Sequence, residues 1–528
     1  MQNLTAQKLM LGLITLGFFI AAPWITSESI GGNFTPLLLL AGIGGALIFL
    51  FALGDRCWMA IPLCLSMEGS LNFLPINFSM PELAVILVLI YIVIQIVMGR
   101  QIKWTLGPAT FWVPLSGLIL VLLYHWLTSK GGIRLFGATT WGGRKYFTIL
   151  TASLTLPLIA SFSGASWQDF TRVPFLYFLG TFVDLVPNTL STVLPATAPL
   201  IYRVYSAVNY SGYGQSLAGN FGEEAGITRF YSFARLGLAF GLLILCYVPL
   251  RVWLSPARLW VLPSLLLGFI SCAFSGFRSF VLNYFLAVSA ALFAAGRLKS
   301  FLFLPVILAG ALAVAFSHGT LVEYPAGIQR ALSFLPGKWD SKAIEESEGS
   351  NKWRKRIREL FFAEYFQKAP WLGTGYNFNP DLAKRSSEIY LRAAADMSTD
   401  QYADARGFIE MKQPHEGDVH ALVVSGIVGT AFFIAFCLCL NIYSFRSVIQ
   451  TSISQLSPVQ IWALALIVQQ SLSFFIVFGD LSITLSQLCP IAAILAASQK
   501  LRPKVIQVPR APIPFPSGSP SKLLREAG

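Results

Sequence analysis

The chain has 528 residues, 55% of them hydrophobic and only 12% charged, with a formal net charge of +13. So apolar a composition excludes a soluble globular domain and fits a multi-span helical membrane protein. In such a protein the positive balance marks the basic ends of cytoplasmic loops rather than nucleic-acid binding.

In chain order, runs of about 17–25 apolar residues read as membrane spans. They fall at 9–25, 36–53, 57–74, 82–98, 108–126, 146–162, 171–187, 231–250, 258–276, 278–296, 300–316, 420–443, 458–478 and 480–498. The first follows Lys8 without a small-residue cleavage site, so it reads as a span and not as a signal peptide. The run at 57–74 carries Pro62 and Glu68 and is the weakest, a broken or partly re-entrant segment. The expected fold is all-α, a polytopic helical membrane protein of about 14 (12–14) transmembrane helices. The expected division is an N-terminal bundle (1–316), a large outer loop with amphipathic helices (317–419), C-terminal transmembrane helices (420–498) and a tail (499–528). That tail is basic and Pro-rich and reads as disordered. Cys57, Cys64, Cys246, Cys272, Cys437, Cys439 and Cys489 all lie in or beside apolar segments, so neither a disulfide framework nor a zinc site is indicated.

Under this reading Lys8, Arg56, Arg100, Lys103, Arg251, Arg258, Arg297, Lys299, Arg446, Lys500, Arg502 and Lys504 share one side, the cytoplasm, with both termini inside. The opposite side receives three larger loops, 127–145, 188–230 and 317–419. The first breaks the charge rule with Lys130, Arg134, Arg144 and Lys145, cations available to lipid phosphate unless short-loop statistics are simply loose. The second is rich in Tyr, Asn, Ser and Gly, a composition that suits sugar binding or an interfacial aromatic belt. The third holds 14 Lys/Arg against 15 Asp/Glu and behaves as a small solvated domain. Within it, Trp353, Ile357, Leu360, Phe361 and Tyr365 repeat at helical spacing, with Arg354, Lys355 and Arg358 turned away toward headgroup phosphates. Arg356 stands at the edge of that apolar stripe. Pro370 ends the helix, and Gly373 and Gly375 permit a tight turn.

Neither a G-x-x-x-x-G-K-[ST] loop nor an H-E-x-x-H zinc helix is present. His415 and His420 are five residues apart, a spacing that places them poorly for one metal on one helix face. The candidates for chemistry are therefore His415 or His420 as a base and the outward arginines Arg229, Arg278, Arg356, Arg134 and Arg144. An arginine at a span end without a nearby carboxylate either snorkels to the interface or awaits an anion.

The order Pro370-Trp371-Leu372-Gly373-Thr374-Gly375, then His415, then Gly426-Ile427-Val428-Gly429 eleven residues later resembles the O-antigen ligase superfamily. These membrane glycosyltransferases include O-antigen ligases, O-antigen polymerases and bacterial protein O-oligosaccharyltransferases. Ser275-Gly276-Phe277-Arg278 looks like the family's Ser-Arg at a span end, and Arg356 like its loop arginine. Two positions depart from the family pattern: Glu416 replaces the Asn after the His, and Leu360 the Trp after the loop arginine. The resemblance implies a GT-C-like fold and a multi-pass protein of the bacterial inner membrane. It implies an undecaprenyl-diphosphate-linked glycan as donor and a glycan or lipid-linked acceptor, with membrane lipids around it and neither metal nor other cofactor. It gives His415 the role of general base and Arg278 and Arg356 the stabilisation of the departing diphosphate. Arg229, Arg134, Arg144, His420 and Glu416 are left as substrate-binding candidates. Ligase and polymerase stay open as alternatives, and a lipid-linked glycan transporter is the reading from a different class.

Overall fold

The computed structural model describes residues 26–28, 34–74, 78–128, 143–162, 165–206, 231–253, 255–377, 403–410, 412, 414 and 416–502. The expected span at 9–25, the residues Arg134, Arg229 and His415, and the tail from 503 lie outside these described residues.

Among the described residues the chain is helical, with three isolated β-bridges and no strand. The long helices are α1 (Thr35–Leu53), α2 (Met80–Val97), α3 (Ala109–Thr128), α4 (Gly143–Ser161), α5 (Val173–Val193), α6 (Tyr231–Tyr247), α7 (Val261–Phe274), α8 (Arg278–Gly296) and α9 (Leu304–Ser317). After them come α10 (Ser341–Leu360), α11 (Gly417–Ile449), α12 (Pro458–Ile476) and α13 (Leu481–Leu501). Among the described residues nine helices are long and apolar enough to cross a membrane, or ten if one bent pair counts as a span. The architecture is thus the polytopic helical membrane protein expected from composition, while the figure of 14 spans goes beyond what these helices establish.

The bent pair is the segment that sequence reading found weakest. Thr35–Leu50 and Gly54–Cys64 meet at 115°. Gly54 takes a positive φ of 53° at the corner, and charged residues follow at once. Asp55 pairs with Arg100, and Arg56 with the buried Asp169 at 3.2 Å. Only Gly54–Met59 and Ala60–Cys64 are helical there, and the chain then turns into irregular backbone, so 57–74 is not one continuous helix.

These contacts sort the helix ends into two faces. One holds Asp55–Arg100 and Arg56–Asp169, together with Arg297 donating to the Thr451 carbonyl at 2.7 Å and Arg502 to the Thr451 hydroxyl at 2.6 Å. The opposite face, where residues 318–416 leave and rejoin the bundle, holds Arg235–Glu68, Lys145–Asp480 and the start of α8. α13 runs through the middle against α4, and its Leu481, Leu485, Leu488, Cys489, Ile491, Ala492 and Ile494 are fully buried. Asp480 caps it by accepting from the Ser482 and Ile483 amides, which ties a charged residue to the inner end of the loop face.

Candidate functional site

The two glycine motifs meet in space. Gly426 of α11 takes φ 60° and ψ −167°, outside the helical region. Gly417 lies on Phe474, where an added Cβ would stand 1.9 Å from the carbonyl oxygen, and the Phe433 ring meets that same phenylalanine at 4.7 Å between centroids. A straight helix would separate residues 417 and 433 by about 24 Å. Both reach Phe474 because the chain doubles back at Gly426, making the start of α11 a short outer helix folded onto the bundle.

Breaking a helix orphans carbonyls on one side and amides on the other, and an apolar setting cannot hydrate them. The turn at 370–375 supplies partners on both sides of the break. The Thr374 and Gly375 amides donate to the Val423 and Val424 carbonyls at 2.8 and 3.0 Å. In return the Ile427 and Val428 amides donate to the Pro370 and Trp371 carbonyls at 2.9 and 3.0 Å. The backbones approach so closely that a Cβ on Gly426 would lie 2.4 Å from the Gly373 nitrogen, and one on Gly373 2.6 Å from the Gly426 nitrogen. Both motifs need glycine for this reason, on top of their positive φ angles of 74° and 60°.

The outer helix begins at the segment that carries His415 in sequence. Pro414 is buried, and Glu416 caps the helix. Arg358 of α10 donates to Glu416 and to Asp418, each at 3.1 Å. Burial raises the Glu416 carboxyl above its ordinary range, opposed by that guanidinium. Arg358, expected from sequence at the lipid headgroups, is therefore held by two carboxylates, and it ties α10 to the start of α11. His420 is 1% exposed, with Nδ1 accepting from the Leu481 amide at 3.2 Å and Nε2 facing Asp480 at 3.7 Å. Asp480 also takes the Lys145 ammonium at 2.8 Å.

The outward cations 144 and 145, which the sequence offered to lipid phosphate, are answered inside the protein. Arg144 pairs with the buried Glu82 and lies over the rings of Phe78 and Phe147, at 5.4 and 5.7 Å from their centroids. Lys145 belongs to Asp480. Their positive charge on this face has carboxylate partners, which removes the conflict with the charge rule.

Arg278 has a different setting. Ser275 and Gly276, the latter with φ 73°, turn the chain so that α8 starts at Arg278. Its guanidinium donates to the Ser347 carbonyl at 2.8 Å and to Asn351 Oδ1 at 3.2 Å. Among the described residues neither Arg278 nor Arg354 forms an ion pair. Both line a pocket of about 310 Å³ together with Arg330, and Phe285, Phe334 and Val477 form part of its apolar wall. Arg330 donates to the Gly276 carbonyl at 3.0 Å, so the Ser-Gly turn positions two of the three guanidiniums. Arg356 is half-buried two residues beyond Arg354 and is not among the residues lining this pocket. Ile476 and Val477 line the pocket while Phe474 and Gly479, just before and after them, carry Gly417, so the pocket abuts the start of α11.

Sequence reasoning missed Arg330 and Arg354 as members of this pocket. Arg354 was visible as one turn beyond Asn351, but its helical phase reads equally well as a solvated face. Arg330 sits in the short helix Ala326–Leu332, which no motif flags. Among the described residues no group of three or more His, Cys, Asp or Glu side chains gathers as a metal site requires.

A bundle of apolar helices with a broken helix and a cationic pocket on one face defines the class, a polytopic helical membrane protein. Residues 227–434 match the family model described as O-antigen ligase. That stretch, which holds the pocket's three arginines and both glycine motifs, is an O-antigen ligase superfamily domain, and the family is one of glycosyltransferase-type membrane enzymes of polysaccharide biosynthesis. No curated protein matches the chain.

Proposed function

We propose that the protein transfers a glycan from undecaprenyl diphosphate to an acceptor hydroxyl on the outer side of the bacterial inner membrane, as an O-antigen ligase does. The face with Arg56, Arg100, Arg297 and Arg502 is then cytoplasmic, and the loop face is the working one. The observation that carries this reading is the Arg278 pocket, where Arg278 and Arg354, which form no ion pair among the described residues, stand beside apolar walls. A lipid diphosphate presents that combination of charge and hydrocarbon.

In this reading the acceptor oxygen attacks the anomeric carbon. The bond from that carbon to the diphosphate oxygen breaks, and the electron pair leaves with the diphosphate. Arg278 and Arg354 stabilise the charge that grows there, since guanidinium stays ionised and offers forked donors to phosphate. Amides at the start of α8 add to the same field. His415 takes the acceptor proton as general base, the role that the family resemblance gives it. Arg356 stands in reserve as the family's loop arginine on α10.

The test is transfer by the purified protein from undecaprenyl-diphosphate glycan to candidate acceptors. Arg278→Ala and His415→Ala are each expected to lower turnover by about 10²-fold or more while the protein inserts and melts normally. Full activity in either variant removes that residue from the mechanism. Cells lacking the protein separate ligation from polymerisation, since lost ligation leaves long unattached polymer and lost polymerisation leaves single repeats.

A further inference from the structure

A second concavity lies beyond the C-terminal end of α10. α10 runs on through a π-turn at Phe361–Tyr365, and beyond it a groove of about 290 Å³ opens between that turn, the 370–375 turn and Ile409, Glu410 and Lys412. Its polar lining includes Lys368, Thr374, Asn377, Glu410 and Lys412, and aromatic rings including Tyr365 and Phe366 form part of its wall. Among the described residues neither lysine has a carboxylate partner within ion-pair distance. Lys368 rests over the Tyr365 ring at 4.8 Å, and Lys412 donates to the exposed Thr374 hydroxyl at 2.6 Å. Glu410 is occupied by the Tyr365 hydroxyl at 2.9 Å. Lys412 is also held in the left-handed region, φ 58°, a conformation costly for a side-chain-bearing residue and concentrated at functional sites.

Two ammoniums, a hydroxyl, a carboxylate and flat aromatic faces in one groove match a sugar that carries a fixed negative charge. The ammoniums meet the anion, the ring faces stack on C–H surfaces of the pyranose, and the carboxylate accepts from hydroxyls. Position selects which sugar this is. Displacement at an anomeric carbon needs the attacking oxygen opposite the departing diphosphate. Arg354 on α10 and Tyr365 at the end of the π-turn that continues it, one in each concavity, are eleven residues apart, about 16 Å at helical rise. We propose that the Lys368–Lys412 groove is the acceptor subsite and takes an acceptor glycan bearing a phosphate or carboxylate. The inference rests on the transferase reading above for the word acceptor, while the anion-binding claim stands on the groove itself.

The test measures kcat/KM for one acceptor in its phosphorylated and enzymatically dephosphorylated forms, using the full-length protein in nanodiscs. In the unaltered protein the phosphorylated form is expected to be preferred. In K368Q/K412Q the ratio is expected to fall at least tenfold. Lys355→Gln, which removes one positive charge from the exposed face of α10, serves as the charge control and keeps the ratio. An unchanged ratio in K368Q/K412Q overturns the proposal. If no acceptor is used by the unaltered protein, the transferase reading fails, and the groove is judged by direct binding of glucose 6-phosphate against glucose. Binding of the phosphate ester alone, lost in K368Q/K412Q, keeps the anionic-sugar site. Equal binding of both sugars overturns it. Competition by phosphatidylglycerol in the nanodisc without competition by glucose 6-phosphate also overturns it and gives the groove to a lipid headgroup.

Discussion

The cations of the loop face fall into two populations. Arg144, Lys145 and Arg235 are each closed off by a carboxylate, Glu82, Asp480 and Glu68 respectively. Arg278, Arg354, Lys368 and Lys412 face concavities and form no ion pair among the described residues. A cation taken from water must be compensated by something, and the first group is compensated by the protein. The second group has its concavities open to a ligand. On the proposed reading the first set holds the bundle and the second meets an anion, although all seven look alike in sequence.

Four experiments break or sharpen that division. The largest effect is expected where a closed pair is opened. Lys145→Met leaves Asp480 ionised and buried beside His420, a loss of about 3–5 kcal/mol that thermal melting in detergent would register. Lys145→Met with Asp480→Leu should recover much of it. Recovery of activity but not of the melting temperature would place Lys145 in the wrong population. Next comes Gly426→Ala, which forces a Cβ into the Gly373 backbone at a positive φ, for about 3 kcal/mol, and it should disturb transfer and melting together. The third is Arg354→Ala. It should leave melting unchanged and lower turnover by about 10–10²-fold, and a drop in melting temperature instead would make Arg354 structural.

The smallest effect is a pH dependence. Burial lowers the Lys412 ammonium to about 8, against the attraction of Glu410. The folded protein then releases this proton more readily than the unfolded chain, so Lys412 opposes folding below about pH 8 and ceases to as pH rises through 8 toward 10.5. Anion binding runs the other way. KM for a phosphorylated acceptor should rise several-fold between pH 7 and 9, and Lys412→Gln should flatten the profile, with Glu410, Lys368 and Tyr365 as the neighbouring ionisable groups.

Much of this architecture is legible in the residues. Apolar length alone gives most of the helices, because nothing else satisfies backbone groups in lipid. Arg278 is readable because Ser275-Gly276 announces a turn before a span. Partnership is not readable: Arg144 and Glu82 are 62 residues apart, and Lys145 and Asp480 335 apart. Arg358 follows the same rule, since its carboxylates arrive from position 416 onward. The doubling back at Gly426 was hidden for another cause. Residues 420–443 read as one apolar span by composition, and only the distant 370–375 turn reveals that it is interrupted.

That seam has an evolutionary side. Four of its bonds run between main-chain atoms, a fifth comes from the Thr374 hydroxyl to the Val423 carbonyl, and its two close approaches involve glycines, so it prescribes nothing about the identity of the side chain at 371. Trp371 is 66% exposed although its carbonyl is fixed by Val428. A position whose backbone is clamped and whose side chain is unclaimed is open to selection for new contacts, so related chains can retune what they recognise there without disturbing the join.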